Sequence, residues 1–139
     1  GSIDRKRLSS IVFSDAAKRR LVENILHPLV EESERRFLQK AREGNVRAAV
    51  LEIPLLFETG ADARCDLTLC VSAPPDLQKA RVLKRSGMDE KTFLNILAAQ
   101  LPDAEKRKKA DYVVLTGTSL AETERFLRDL FLRLGLLSA

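Results

Sequence analysis

Apolar and polar positions along the chain follow two rhythms. From Ser14 or Asp15, either of which suits an N-cap, "AAKRRLVENILH" places Leu21, Val22, Ile25 and Leu26 on one helical face. Pro28 interrupts the pattern and fits the first turn of a second helix, "PLVEESERRFLQKAREG", which closes at Gly44. A helix pair is therefore predicted. Three short, nearly all-apolar runs follow: "RAAVLEIP" from Arg47, "CDLTLCVSA" from Cys65 and "DYVVLTG" from Asp111. None alternates cleanly, as expected of strands covered on both faces. Between the second and third runs, "PDLQKARVLKR" reads as a helix, and so does "DEKTFLNILAAQL" with Asp89 as N-cap. Ser119 then caps "LAETERFLRDLFLRLGLL", where Leu120, Phe126, Leu127, Leu130, Phe131 and Leu134 form a wide apolar face. Strands separated by helices predict an α/β protein with a parallel sheet and helices on its faces. No internal repeat, low-complexity tract or linker is visible.

Composition narrows this picture. The 139 residues are about one domain's worth of chain, and 45% hydrophobic content suffices for a core. No apolar run approaches the roughly 18 to 20 residues that span a bilayer, and "GSIDRKRLSS" lacks a signal-peptide core. The cytoplasm is the expected compartment. Cys65 and Cys70 match no zinc or redox spacing and suit buried free thiols. The net charge of +4 comes from interspersed acids and bases, apart from the basic run "EKRKKAD" at Glu105 to Asp111. Such a balance suits nucleic acid or an anionic small molecule. With 5% aromatic residues, no Trp and one Tyr, the chain has few rings for stacking on bases, which favours the small molecule.

The stretch "LEIPLLFE" fits neither rhythm, because Glu52 interrupts an apolar strand and Pro54 forbids a helix. In open parallel sheets ligands gather beyond the carboxyl ends of the strands, which is where this stretch falls. There Glu52 can meet a magnesium-bound water, a basic partner or a substrate hydroxyl, or simply pair with an arginine. Pro54 turns the chain out of the sheet, and Leu55, Leu56 and Phe57 then line a pocket wall or close the core.

Taken in order, "IDRKRLSSIVFSD", "LVENILHPLV", "LEIPLLFE", "QKARVLKR" and "AAQLPDAEKRKKADYVV" resemble the dephospho-coenzyme A kinase family. The resemblance covers nearly the whole chain. It implies a three-layer P-loop kinase fold related to nucleoside monophosphate kinases, with a five-stranded parallel sheet. On that pattern residues 1–45 are the C-terminal part of a helical substrate domain, 46–83 core, 84–109 a lid, and 110–139 the last core strand and helix. Strands 3, 4 and 5 of the family sheet would be present. The implied reaction transfers the ATP γ-phosphoryl group, with Mg²⁺, to the ribose 3′-hydroxyl of dephospho-coenzyme A, the last step of coenzyme A biosynthesis. The implied partners are these small molecules, not nucleic acid or membrane.

The family's motifs carry over residue by residue. His27, in "HPLV", stands near the implied substrate site or caps the helix before Pro28. Glu52 stands where relatives usually have Asp, keeping the charge on a longer arm. With Leu55, Leu56 and Glu58 it forms the implied acceptor side. Arg81 and Arg85 are spaced i,i+4, so one helical face would aim both at nucleotide phosphates, with Arg85 as the phosphate clamp of the lid. Gln100 and Lys106 fall at lid positions, with Lys106 toward the nucleotide, whereas Lys108 and Lys109 suit a solvated face. Thr116 and Gly117, in "LTGTS", resemble the segment that passes the adenine; many relatives have Asn at Thr116, so backbone atoms would serve here. No metal ligand is assigned.

The chain contains no G-x-x-x-x-G-K-[ST] phosphate loop. The resemblance would place that loop, two strands and the general base before Gly1, so the sequence reads as beginning roughly a third of the way into a family member. An N-terminal remainder of the same protein is expected, and the 139 residues alone are expected to be inactive. Two further readings stay open: another small-molecule P-loop kinase, and a non-catalytic nucleotide- or coenzyme A-binding remnant.

Overall fold

A computed structural model describes residues 3–4, 7–8, 11–12 and 15–137. The chain divides into two compact units, Gly1–Leu51 and Glu52–Ala139.

The first unit is dominated by helix α1, Ala16–Glu43. Asp15 is its N-cap, accepting from the backbone N–H groups of Ala17 at 2.9 Å and Lys18 at 3.1 Å. These bonds satisfy donors that the first turn leaves without intrahelical partners. The alternative cap, Ser14, lies outside the described residues. Gly44 closes the helix as expected, donating to Arg42 and Lys40 carbonyls. The predicted helix pair is not found: α1 runs for 28 residues with Pro28 inside it. Proline removes one hydrogen bond, to the carbonyl of Asn24, and both residues are exposed, so water can satisfy that oxygen. One turn on, Glu32 takes Arg35 at 2.8 Å and Arg36 at 2.7 Å, reinforcing the helix past the proline. Leu21, Ile25 and Leu26 share a face as predicted but remain 62%, 57% and 48% exposed.

The first predicted strand does not form either. Residues 48–53 have no regular structure, and Val50 is 75% exposed. An apolar run becomes a strand only when a neighbouring backbone accepts its ladder. Among the described residues the sheet has two strands, β1 at Leu69–Ser72 and β2 at Tyr112–Leu115. They pair in parallel, with Cys70 opposite Val113 and Ser72 opposite Leu115.

Around this ladder the second unit builds its small core. A turn over Pro54–Gly60 leads into a 3-10 helix, Ala61–Arg64. Then come α2 at Pro75–Leu83, α3 at Glu90–Ala98, α4 at Asp103–Lys109 and α5 at Leu120–Arg133. Helix α4 packs on β1 and α5 on β2. The α/β class with a parallel sheet is thus realised. Coverage on both faces is not: Cys70 and Ser72 are buried, whereas Val71 on the other face is 65% exposed. The caps match the sequence. Asp89 accepts from Thr92 N–H at 2.7 Å, and Ser119 forms a reciprocal capping box with Glu122. Below the sheet, Thr68 N–H and hydroxyl both donate to Asp111 Oδ2, at 2.8 and 2.7 Å, locking the two strand entrances together.

Candidate functional site

The carboxyl ends of β1 and β2 meet at a hydrogen-bonded knot. Thr116, one residue past β2, donates its backbone N–H to the Ser72 carbonyl at 2.8 Å, and its hydroxyl donates to the same oxygen at 3.2 Å. Arg81 on α2 closes over it, with Nη2 at 2.7 Å from the Thr116 carbonyl and Nη1 at 3.2 Å from its hydroxyl. The Ser72 hydroxyl, 3% exposed, turns the other way and donates to Asp103 at the start of α4, 2.9 Å from each carboxylate oxygen. A parallel strand pair thereby fixes α2, α4 and the loop after β2 from its own edge. The loop is tight: a Cβ on Gly117 would lie 2.8 Å from Pro74 Cδ. Gly117 is needed here for space.

A second cluster joins the Pro54–Gly60 turn to the start of α4. One oxygen of Glu58, Oε1, accepts from the Leu101 N–H at 2.8 Å and lies 2.9 Å from Lys106 Nζ. Lys106 also donates to Gln100 Oε1 at 3.1 Å. Side-chain exposures of 18% for Lys106 and 17% for Glu58 set this pair apart from the solvated pairs on α1. Burial pushes the Glu58 carboxyl up, but the hydrogen bonds from Lys106 and Leu101 outweigh it and hold the group below its ordinary value. Nearby, burial raises the Cys70 thiol, with Asp103 adding to the effect and Lys106 and Arg107 opposing it. Cys65 and Cys70 are both free, and Cys70 is the buried one. A thiol so raised is a poor nucleophile.

The structure brings some of the sequence-derived residues together and leaves others apart. Arg81 and Thr116 are in direct contact, with Gly117 adjacent, and Glu58 is in contact with Lys106. Leu55 and Leu56 belong to the turn that carries Glu58, and their carbonyls accept from Thr59 at 3.1 Å and Ala61 at 3.0 Å. Glu52 and Arg85 stand apart; both are exposed, and neither side chain has a hydrogen bond or ion pair among the described residues. Arg85 does not share a helical face with Arg81, because α2 ends at Leu83 and Arg85 lies beyond the cap. His27 belongs to the first unit, exposed in the interior of α1, and so caps no helix. Ser72 and Asp103 escaped the sequence reading. A serine on the buried side of a strand's last residue was the available signal, since a buried hydroxyl requires a partner.

Among the described residues, no three His, Cys, Asp or Glu side chains are grouped to hold a metal ion, and no helix is long and apolar enough to cross a membrane.

Comparison with known proteins gives this geometry its context. The family model for dephospho-CoA kinase matches residues 1–122. The dephospho-CoA kinase of Agrobacterium fabrum is 43% identical over 135 residues, covering 97% of this chain and 70% of the relative. That of Bradyrhizobium diazoefficiens is 47% identical over 120 residues, covering 86% and 60%. Among solved structures, the Thermus thermophilus protein TT1252 aligns with a TM-score of 0.71 at 38% identity, covering 96% of this chain and 69% of that one. Dephospho-CoA kinase from Campylobacter jejuni aligns with a TM-score of 0.67 at 28% identity, covering 96% and 66%. The chain spans between 60% and 70% of the length of these two curated relatives. With the matched family residues running from the helical unit through both strands, the chain belongs to the dephospho-CoA kinase family.

Proposed function

We propose that this chain supplies the acceptor and lid side of an ATP-dependent kinase that phosphorylates the ribose 3′-hydroxyl of dephospho-coenzyme A. The observation that carries the reading is the Arg81–Thr116 contact at the carboxyl edge of a parallel sheet, in a chain of this family. In the reaction the hydroxyl oxygen forms a bond to the γ-phosphorus, the bond to the β,γ-bridging oxygen breaks, and ADP leaves. The hydroxyl proton passes to a base that these residues do not provide. Charge spread over the transferring group calls for fixed cations rather than covalent chemistry. Arg85, with an uncommitted guanidinium, is the phosphate clamp of a lid over residues 84–109. Arg81 fixes the Thr116–Gly117 loop along which the nucleotide lies. Glu52, Leu55 and Leu56 are assigned to the acceptor side and His27 to the substrate domain of residues 1–45, with 46–83 and 110–139 as core.

Mg²⁺, which accompanies ATP in the family resemblance, finds no protein-built site among the described residues, and no step here is assigned to it. The partners are small molecules, and the cytoplasm is the compartment. No glycine-rich phosphate loop occurs in the 139 residues, so the chain alone does not transfer phosphoryl groups.

The test is a coupled ADP-release assay with ATP and dephospho-coenzyme A. The chain alone should give no turnover. A chimera completed with the part of the Agrobacterium fabrum relative that this chain does not cover should form coenzyme A. Turnover by the chain alone would overturn its proposed inactivity, and a folded, ATP-binding chimera that forms no coenzyme A would overturn the kinase reading.

A further inference from the structure

The Glu58 cluster does not look like a substrate site. Its Oε1 already accepts two hydrogen bonds, from a backbone amide and from an ammonium, and its partners lie on a different part of the chain, 43 residues away in sequence for Leu101. Lys106, by contrast, has three N–H donors. Two are spent, on Glu58 and Gln100, and their acceptors approach from the turn and from the segment before α4. Two fixed acceptors determine the direction of the third N–H.

We propose that Glu58 and Gln100 are positioning residues that hold the Lys106 ammonium so that its third N–H meets a phosphate oxygen of the substrate. Glu58 thus acts through Lys106 and does not touch the acceptor. A lone lysine is a mobile point charge on a flexible four-carbon stem, and its value to a phosphoryl-transfer site depends on that mobility being removed beforehand. The Glu58 carboxyl, held low by its hydrogen bonds from Lys106 and Leu101, agrees with an acceptor that keeps its charge at neutral pH. By comparison, Lys108, two residues on, pairs with Glu105 at 2.8 Å while its side chain remains 72% exposed. That pair lacks a second acceptor and serves as an internal control.

This proposal rests on the phosphoryl-transfer reading but is tested without turnover, by calorimetric titration of the 139-residue chain with inorganic tripolyphosphate at neutral pH. The chain should bind the probe weakly, and Lys106→Met should weaken it by about tenfold, the equivalent of one lost charge-assisted hydrogen bond. The discriminating variant is Glu58→Gln. Removing a negative charge beside an anion site should tighten binding by simple electrostatics, whereas loss of positioning weakens it severalfold. Glu105→Gln, which removes the same charge from the control pair, should leave affinity unchanged or slightly tighter. Weakening by Glu58→Gln and by Gln100→Ala supports the proposal. Tightening by Glu58→Gln, wild-type affinity in Lys106→Met, or no binding by the unaltered chain overturns it. Should Glu58→Gln not fold, Gln100→Ala carries the decision, since it keeps the ion pair: severalfold weakening supports positioning and unchanged affinity overturns it. An inactive chimera whose variants keep this affinity pattern would sink the kinase reading and leave the positioning of Lys106 intact.

Discussion

Arg81 and Thr116, 35 residues apart in sequence, are joined by two hydrogen bonds, so that the end of β2 is fastened to the last turn of α2. The guanidinium meets both the carbonyl and the hydroxyl of one residue, a two-point grip that a flexible ammonium cannot reproduce. Arg81→Lys should therefore free the loop after β2. Amide hydrogen exchange at Thr116, whose N–H is held by the Ser72 carbonyl, should speed up, while the α5 interior stays protected. Because Arg81 is exposed, the cost in global stability should be only about 1 kcal/mol, read from urea unfolding.

Gly117 makes a sharper prediction. Its φ is not in the left-handed region, so alanine meets no backbone strain; the obstacle is the Pro74 ring, 2.8 Å from the new Cβ. Overpacking of this kind costs about 1–3 kcal/mol. Gly117→Ala should lower the unfolding free energy by that amount, read from urea unfolding, and Pro74→Ala should restore most of the loss when the two are combined. Additive losses in the double variant would show that the clash is relieved some other way.

How much of this was legible beforehand depends on whether the deciding partner was local. The caps at Asp15, Asp89 and Ser119 bond to groups two or three residues away, so the sequence contains both halves of each interaction. The strands at Leu69 and Tyr112 were legible because each finds the other. "RAAVLEIP" has strand composition, yet composition cannot supply a ladder partner, and the segment stays irregular. Pro28 misled in the opposite sense. Its ring forbids one hydrogen bond, but whether a helix ends there depends on the neighbouring turns, and an exposed Asn24 carbonyl lets α1 continue. In the site, Arg81, Lys106 and Glu58 were visible as charges. The pairings that join Arg81 to Thr116, and Glu58 to Leu101 and Lys106, span 35 or more residues and were not.

Ser72 and Asp103 show the same limit and carry the third prediction. The Ser72 hydroxyl is buried, and both oxygens of Asp103 receive it. Ser72→Ala removes the donor and leaves a half-buried carboxylate short of a partner, a loss of about 1–3 kcal/mol. Asp103→Asn keeps one acceptor oxygen for the hydroxyl and should cost less. Helix α4 should lose hydrogen-exchange protection in Ser72→Ala before the β1–β2 ladder does, because the bond joins helix to strand and takes no part in the ladder.

The helical unit provides a prediction in pH. Hydrogen bonds from Arg35 and then Arg36 hold the Glu32 carboxyl at about 2, against an ordinary value of 4.5. A carboxyl depressed in the folded state stabilises that state at pH values above its unfolded value and ceases to do so as pH falls through the folded one. The stabilisation of α1 by this triad should therefore be complete above about pH 5 and fade between about pH 4.5 and 2. Far-UV circular dichroism across that interval should show helix content falling in the unaltered chain. In Glu32→Gln, helicity should begin lower, and its fall over the same window should be smaller. Since the triad is exposed, added salt at pH 7 should reproduce part of the acid effect by screening the pairs. Identical acid profiles for the two proteins would show that the arginines contribute nothing to holding α1 together beyond Pro28.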